Sequence, residues 1–148
     1  MRLLVLADML EDFLALSAVL TGVENLDPTL GRLYLDRLNS TPFASSLRDI
    51  LRLFQGLEPG STLADQVRQQ LVSSDDLRPA ITQIVLLWYT SAMHDNDGIP
   101  ANFRYGTQEE YFSGLAWQIV GAHAPGLSGG YFGHWHYRPE NEPKVANK

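Results

Sequence analysis

The chain has 148 residues, of which 45% are hydrophobic and 19% charged, which is one globular domain's worth with an ordinary core and excludes a disordered chain. Lys and Arg total 11 against 17 Asp and Glu, a net charge of -6, which argues against a basic phosphate-binding stripe and nucleic-acid partners. The absence of cysteine excludes a disulfide framework, a disulfide tether to a partner, a thiolate metal site, an iron–sulfur cluster and a Cys nucleophile.

The chain opens on a short apolar run, Leu3 to Leu6, broken at once by Asp8, Glu11 and Asp12. The run is too short for a signal-peptide core and no twin-Arg pair accompanies it, so no export leader is expected. No stretch approaches the ~20 apolar residues of a membrane span. A helix is predicted over Met9 to Thr21, where Leu10, Phe13, Leu14, Ser17 and Leu20 share one face, with Gly22 as its stop. Asp27 then caps a second helix with Pro28 at its first position, and Leu30, Leu33, Tyr34, Arg37 and Leu38 continue the period. Phe43, Leu47, Ile50, Leu51 and Phe54 define a third, ended by Gly56.

Ser61 or Thr62 is the expected cap of a fourth helix carrying Leu63, Val67 and Leu71. Asp76 is the expected cap of a fifth. That segment, Leu77 to Met93, is apolar on most faces and reads as the central helix. His94 to Arg104 reads as a loop. Thr107 with Glu110 forms a capping box: the Thr hydroxyl takes an N–H three residues on, and the Glu reaches back. Tyr111, Phe112, Leu115, Ala116 and Ile119 give the last helix its face, and Pro125–Gly126 ends it. The expected architecture is all-α: a compact bundle of about six helices over residues 9–124, then an irregular Gly/aromatic-rich tail over residues 125–148.

Chemistry-bearing patterns are sparse. His134-Trp135-His136 has an alternating spacing seen at metal sites, and His123 or Asp97 could complete it by folding back. Two ligands fall short of the three a zinc site needs. His94-Asp95-Asn96-Asp97-Gly98 resembles a calcium loop, but Gly106 stands where the closing Glu is required. No Ser sits in a nucleophile elbow, and the Gly126–Gly130 stretch does not link a strand to a helix. The pairs Asp75–Asp76 and Glu109–Glu110 lie at helix starts, where the helix dipole accounts for them. Trp88 and Tyr89 read as core.

The tail is distinctive. Tyr131, Phe132, Trp135 and Tyr137 occur within seven positions of a Gly-containing stretch, and Arg138 follows. Rings on a Gly-rich strip must bury either against the domain or in a partner, and aromatic and Arg side chains are the usual interface anchors. These five residues are the candidate partner-binding set; no catalytic, cofactor or metal residue is assigned. A metal-dependent enzyme using His123, His134 and His136, and an interaction domain with an unrelated partner, stand as alternatives.

Several segments together resemble the small subunit of membrane-associated, FAD-dependent sugar dehydrogenases, the D-sorbitol dehydrogenase family, related to fructose and glucose dehydrogenase small subunits. They are Asp12-Phe-Leu-Ala-Leu-Ser, Leu20-Thr-Gly, Asn25-Leu-Asp, Leu77-Arg-Pro-Ala-Ile-Thr-Gln-Ile with Trp88-Tyr89, Tyr111-Phe-Ser-Gly-Leu-Ala-Trp, Pro125-Gly, Gly129-Gly-Tyr-Phe-Gly-His-Trp and Pro139-Glu. Their order spans roughly residues 10–140. The resemblance implies a non-catalytic subunit. FAD would sit in a large catalytic subunit, a cytochrome subunit would carry electrons to the membrane, and this chain would bind the flavoprotein and support its maturation and export, at the periplasmic face of the inner membrane. Two features depart from the family pattern. The twin-Arg leader is missing, so that either the start is trimmed or misassigned, or the chain stays in the cytoplasm (as written) or relies on its partner's signal, and missing too is the Cys that bonds some relatives to their large subunit.

Overall fold

The computed structural model describes residues 2–94 and 103–122. The described chain is all-α in character. Helix α1 covers Arg2–Thr21, α2 Pro28–Asn39 and α3 Ala44–Gln55. Helix α4, Leu63–Val67, runs straight into a π-helical turn, Arg68–Val72. Helix α5 covers Arg78–Thr90, and strands β1 (Ala92–His94) and β2 (Phe103–Tyr105) follow. Two short helices, α6 (Gln108–Phe112) and α7 (Leu115–Ile119), complete it.

Local chemistry sets most boundaries. The Thr29 amide donates to the Asp27 carboxylate at 2.7 Å, and Pro28 opens α2 as expected. Gly22, at φ +71°, ends α1 in the left-handed region. The fourth helix has Thr62 at the expected cap position. Neither Ser61 nor Thr62 caps it through its side chain, and the Gln66 amide, bonded to Thr62 Oγ1 and to the Glu58 carbonyl, braces that turn. Val67 and Leu71 both reach the core across the widened π turn. Helix α5 lacks the expected Asp76 cap; Leu77 stands at the cap position, and Asp75 pairs with Arg78 at 2.8 Å.

Helix α5 also stops short of Met93. Ser91 turns left-handed at φ +54°, and the chain enters β1, antiparallel to β2 with Met93 opposite Arg104. Buried Gln83 explains the exit from the helix. Its amide donates to the Ala92 carbonyl at 2.9 Å and accepts from the His94 N–H at 2.8 Å, replacing the helical bonds. Part of the expected loop over His94 to Arg104 is therefore a short ladder.

The core lies between α1, α2, α3 and α5. Phe13, Leu16, Leu35, Ile50, Leu71, Ile84 and Leu87 are fully buried, each contributing roughly 1.5–3 kcal/mol by removal from water. Trp88 is buried at its centre, edge-on to Tyr34 at 5.1 Å and stacked on Phe13 at 6.5 Å. Gly31 admits the close crossing of α1 and α2: a Cβ there would stand 2.5 Å from Leu14 Cδ2.

Candidate functional site

The end of the described chain, which leads into the aromatic tail, is fastened to the helical body by polar groups. Thr107 caps α6 by accepting from the Glu110 amide at 3.3 Å, which is the first half of the capping box. The Glu110 side chain finds its shortest bonds elsewhere. It accepts from both terminal nitrogens of Arg37, on α2, at 2.8 and 2.9 Å. Glu110 is 2% exposed and Arg37 25% exposed. The fork matches the carboxylate in the bidentate geometry that makes such pairs strong. Gly106 is required beside it, because a Cβ there would fall on the Glu110 carboxylate.

Burial alone would push the Glu110 carboxyl up. The Arg37 hydrogen bond, the Thr107 amide and the Arg37 charge outweigh that and hold it below the usual carboxylate range. Glu110 is thus ionised at neutral pH and poorly suited to general acid work. Arg37 also lies over the Tyr34 ring, 5.9 Å from its centroid. The Tyr34 hydroxyl is pushed up to about 12, first by burial and then by the Glu110 charge. A continuous line of contacts, Phe13, Trp88, Tyr34, Arg37 and Glu110, joins the core to α6.

A cleft of about 530 Å³ opens beside this pair, lined by Arg37, Ser40, Thr41, Arg104 and Thr107 among others. Its hydroxyls serve the backbone. Ser40 donates to the Arg37 carbonyl and Thr41 to the Leu38 carbonyl, each at 2.7 Å. Thr107 is taken up by its cap. These hydroxyls are thereby taken up in holding the local backbone.

The last helix is not continuous, contrary to the sequence expectation. Gly114 takes an extended conformation and splits it into α6 and α7. A Cβ at Gly114 would stand 2.6 Å from the Tyr89 carbonyl, so the break lets this segment lie directly on α5. Trp117 folds back, donating to the Tyr111 carbonyl at 2.9 Å and packing edge-on against its ring at 5.3 Å. The helix ends at Ile119, with Gly121 left-handed at φ +64°, ahead of Pro125–Gly126. Ile119, expected on the buried face, is 60% exposed, and Val120 is 67% exposed. These two apolar side chains stand where the chain leads toward the tail.

The five candidate anchors, Tyr131, Phe132, Trp135, Tyr137 and Arg138, lie outside the described residues, as do His123, His134, His136 and Asp97. His94 is described, half-buried on β1. Among the described residues no group of three or more His, Asp or Glu is placed to hold a metal ion. No helix among them is long and apolar enough to cross a membrane. Sequence reasoning missed the Arg37–Glu110 pair, whose members are 73 positions apart; the only clue was an acidic residue at a capping-box position.

The family model for membrane-bound FAD-containing D-sorbitol dehydrogenase matches residues 5–120. The chain belongs to that family. No curated protein matches it. Among the described residues, β2 leads into α6 and can be set beside a dinucleotide-binding turn. A dinucleotide pyrophosphate is held where a strand runs through a glycine-rich turn into a helix N-terminus. Here β2 runs into α6 through Gly106 and Thr107, and the space at that turn is taken by the Glu110 carboxylate.

Proposed function

We propose that this chain is the accessory small subunit of an FAD-dependent sugar or polyol dehydrogenase complex. It binds the catalytic flavoprotein, supports that partner's maturation or export, and carries out no sugar chemistry itself. FAD belongs to the large subunit, a membrane cytochrome subunit is reached through the complex, and the assembly works at the periplasmic face of the inner membrane. The observation that carries the reading is the family match over residues 5–120, which takes in almost all of the helical body. The exposed pair Ile119 and Val120 supports an interface at that end of the molecule.

The binding surface draws its anchors from Tyr131, Phe132, Trp135, Tyr137 and Arg138. With no cysteine in the chain, burial and hydrogen bonds must hold the complex, over about 1,200–2,000 Å² in total. Titration of the flavoprotein with Trp135→Ala tests this. The expected loss is about 2 kcal/mol, the size of a hot spot, or roughly thirty-fold in Kd. Unchanged affinity would remove Trp135 from the interface.

A further inference from the structure

A second cleft, of about 330 Å³, lies between the α1–α2 turn and α7. Tyr89 of α5 fixes both of its walls. The Tyr89 hydroxyl donates to the Thr21 carbonyl at 2.9 Å and holds the start of the α1–α2 turn. The Tyr89 carbonyl is the surface on which Gly114 seats, just ahead of α7. The turn is set further by the Val23 amide, which donates to Thr21 Oγ1 at 3.3 Å, and by Asn25, left-handed at φ +58°. The cleft is therefore preformed, and an occupant meets little ordering cost on this side.

Val23, Leu26 and Leu30, all half-buried, supply an apolar floor, which buried Leu115 completes. The rim carries Glu24 and Asp27, both exposed. Among the described residues neither acid is in an ion pair, and no Lys or Arg lines the cleft. An apolar floor inside an acidic rim selects an apolar side chain that brings its own cation. The volume is at the low end for small-molecule pockets, which run ~300–1,000 Å³, and suits a single side chain. The apolar surface also continues past the cleft. Leu115, Gln118 and Ile119 stand at i, i+3 and i+4 on α7 and share a face. Leu115 and Gln118 line the cleft, so exposed Ile119 extends it, with exposed Val120 next in the chain. A small molecule seated in the cleft would leave Ile119 and Val120 in water, whereas a protein surface covers both.

We propose that this cleft, with Ile119 and Val120, docks a segment of the flavoprotein partner that presents one apolar side chain between Lys or Arg residues. The apolar side chain fills the floor, the cations meet Glu24 and Asp27, and the surrounding partner surface covers Ile119 and Val120. The docking surface deepens the proposed function by placing an interface on the helical body, and it rests on that reading for the identity of the partner.

Two measurements separate the surface from its occupant. In the first, the peptides Ac-Lys-Phe-Lys-NH2 and Ac-Glu-Phe-Glu-NH2 are titrated into the isotope-labelled full-length chain, and amide shifts are mapped by NMR. The Lys peptide is expected to move amides within 23–30 and 113–120, with an affinity about ten-fold or more above that of the Glu peptide. Glu24→Lys is expected to abolish the response, with circular dichroism confirming the fold. In the second, a candidate flavoprotein is titrated with the native chain, Glu24→Lys and Glu58→Lys. Glu58 is exposed on the α3–α4 turn, so its variant matches the change in net charge. Glu24→Lys is expected to raise Kd about ten-fold or more, and Glu58→Lys to leave it within about two-fold. No shift at the cleft, equal affinity for the two peptides, or a response indifferent to Glu24→Lys would overturn the surface, whatever the flavoprotein does. Peptide binding with equal flavoprotein affinity for the two variants would overturn the flavoprotein as its occupant. A flavoprotein that binds none of the three chains would overturn the proposed function and with it this occupant, while the peptide result still decides the surface.

Discussion

The body of the molecule, α1 through α5, and its C-terminal segment, β2 through α7, are held by different physics. The body rests on fully buried aliphatic and aromatic side chains such as Phe13, Leu16, Ile84 and Leu87. The segment buries Leu115, and is further fastened by an ion pair to Arg37, a glycine seat on Tyr89, the β1–β2 ladder and a Gly106 N–H bond to the Ser91 carbonyl. Apolar burial spreads its stabilisation over many contacts, whereas a buried pair concentrates it in two residues. The body should therefore behave as one cooperative unit, and the segment as a part that can be released without unfolding the rest.

Substitutions break this contrast in order of size. Ile84→Ala, at a fully buried position of α5, is expected to cost about 3–4 kcal/mol. It should lower protection throughout the body in hydrogen exchange; loss confined to α5 would show that the body is not cooperative. Arg37→Ala leaves the Glu110 carboxylate buried and unpaired, at about 3 kcal/mol, but only β2, α6 and α7 should lose protection. Loss across α1 to α5 as well would erase the distinction between the two regions.

The acid limb sharpens the second case. Glu110 has its folded pKa held below the reference value of 4.5, so its pairing stabilises fully above about that pH. The contribution is lost as pH falls through the lower folded value. The stability gap between the native chain and Arg37→Ala should accordingly narrow below pH 4.5.

Legibility in the sequence followed the same division. Asp27–Pro28 announced the start of α2 because a cap is decided within three residues. The apolar spacing of Phe13, Leu47, Ile50 and Leu87 marked the core because burial imposes the helical period. The C-terminal segment was harder to read. Periodicity carried Ile119 onto a buried face because it ignored Gly114, whose break depends on the Tyr89 carbonyl of another helix. Strand β1 went unseen because the bracket that holds it is a single buried Gln83. Glu110 was legible as a helix-start acid and not as the partner of Arg37, since nothing local relates residues 73 positions apart.

One measurement bears most directly on the assignment as an accessory subunit. The chain is co-expressed with a candidate for the proposed FAD-containing partner, and the mixture is separated by size exclusion with flavin absorbance followed beside protein absorbance. The expected result is co-elution in one flavin-containing peak, with sugar oxidation retained by the large subunit and absent from the isolated small chain. Separate elution of an intact flavoprotein, or sugar oxidation by the small chain alone, would contradict it.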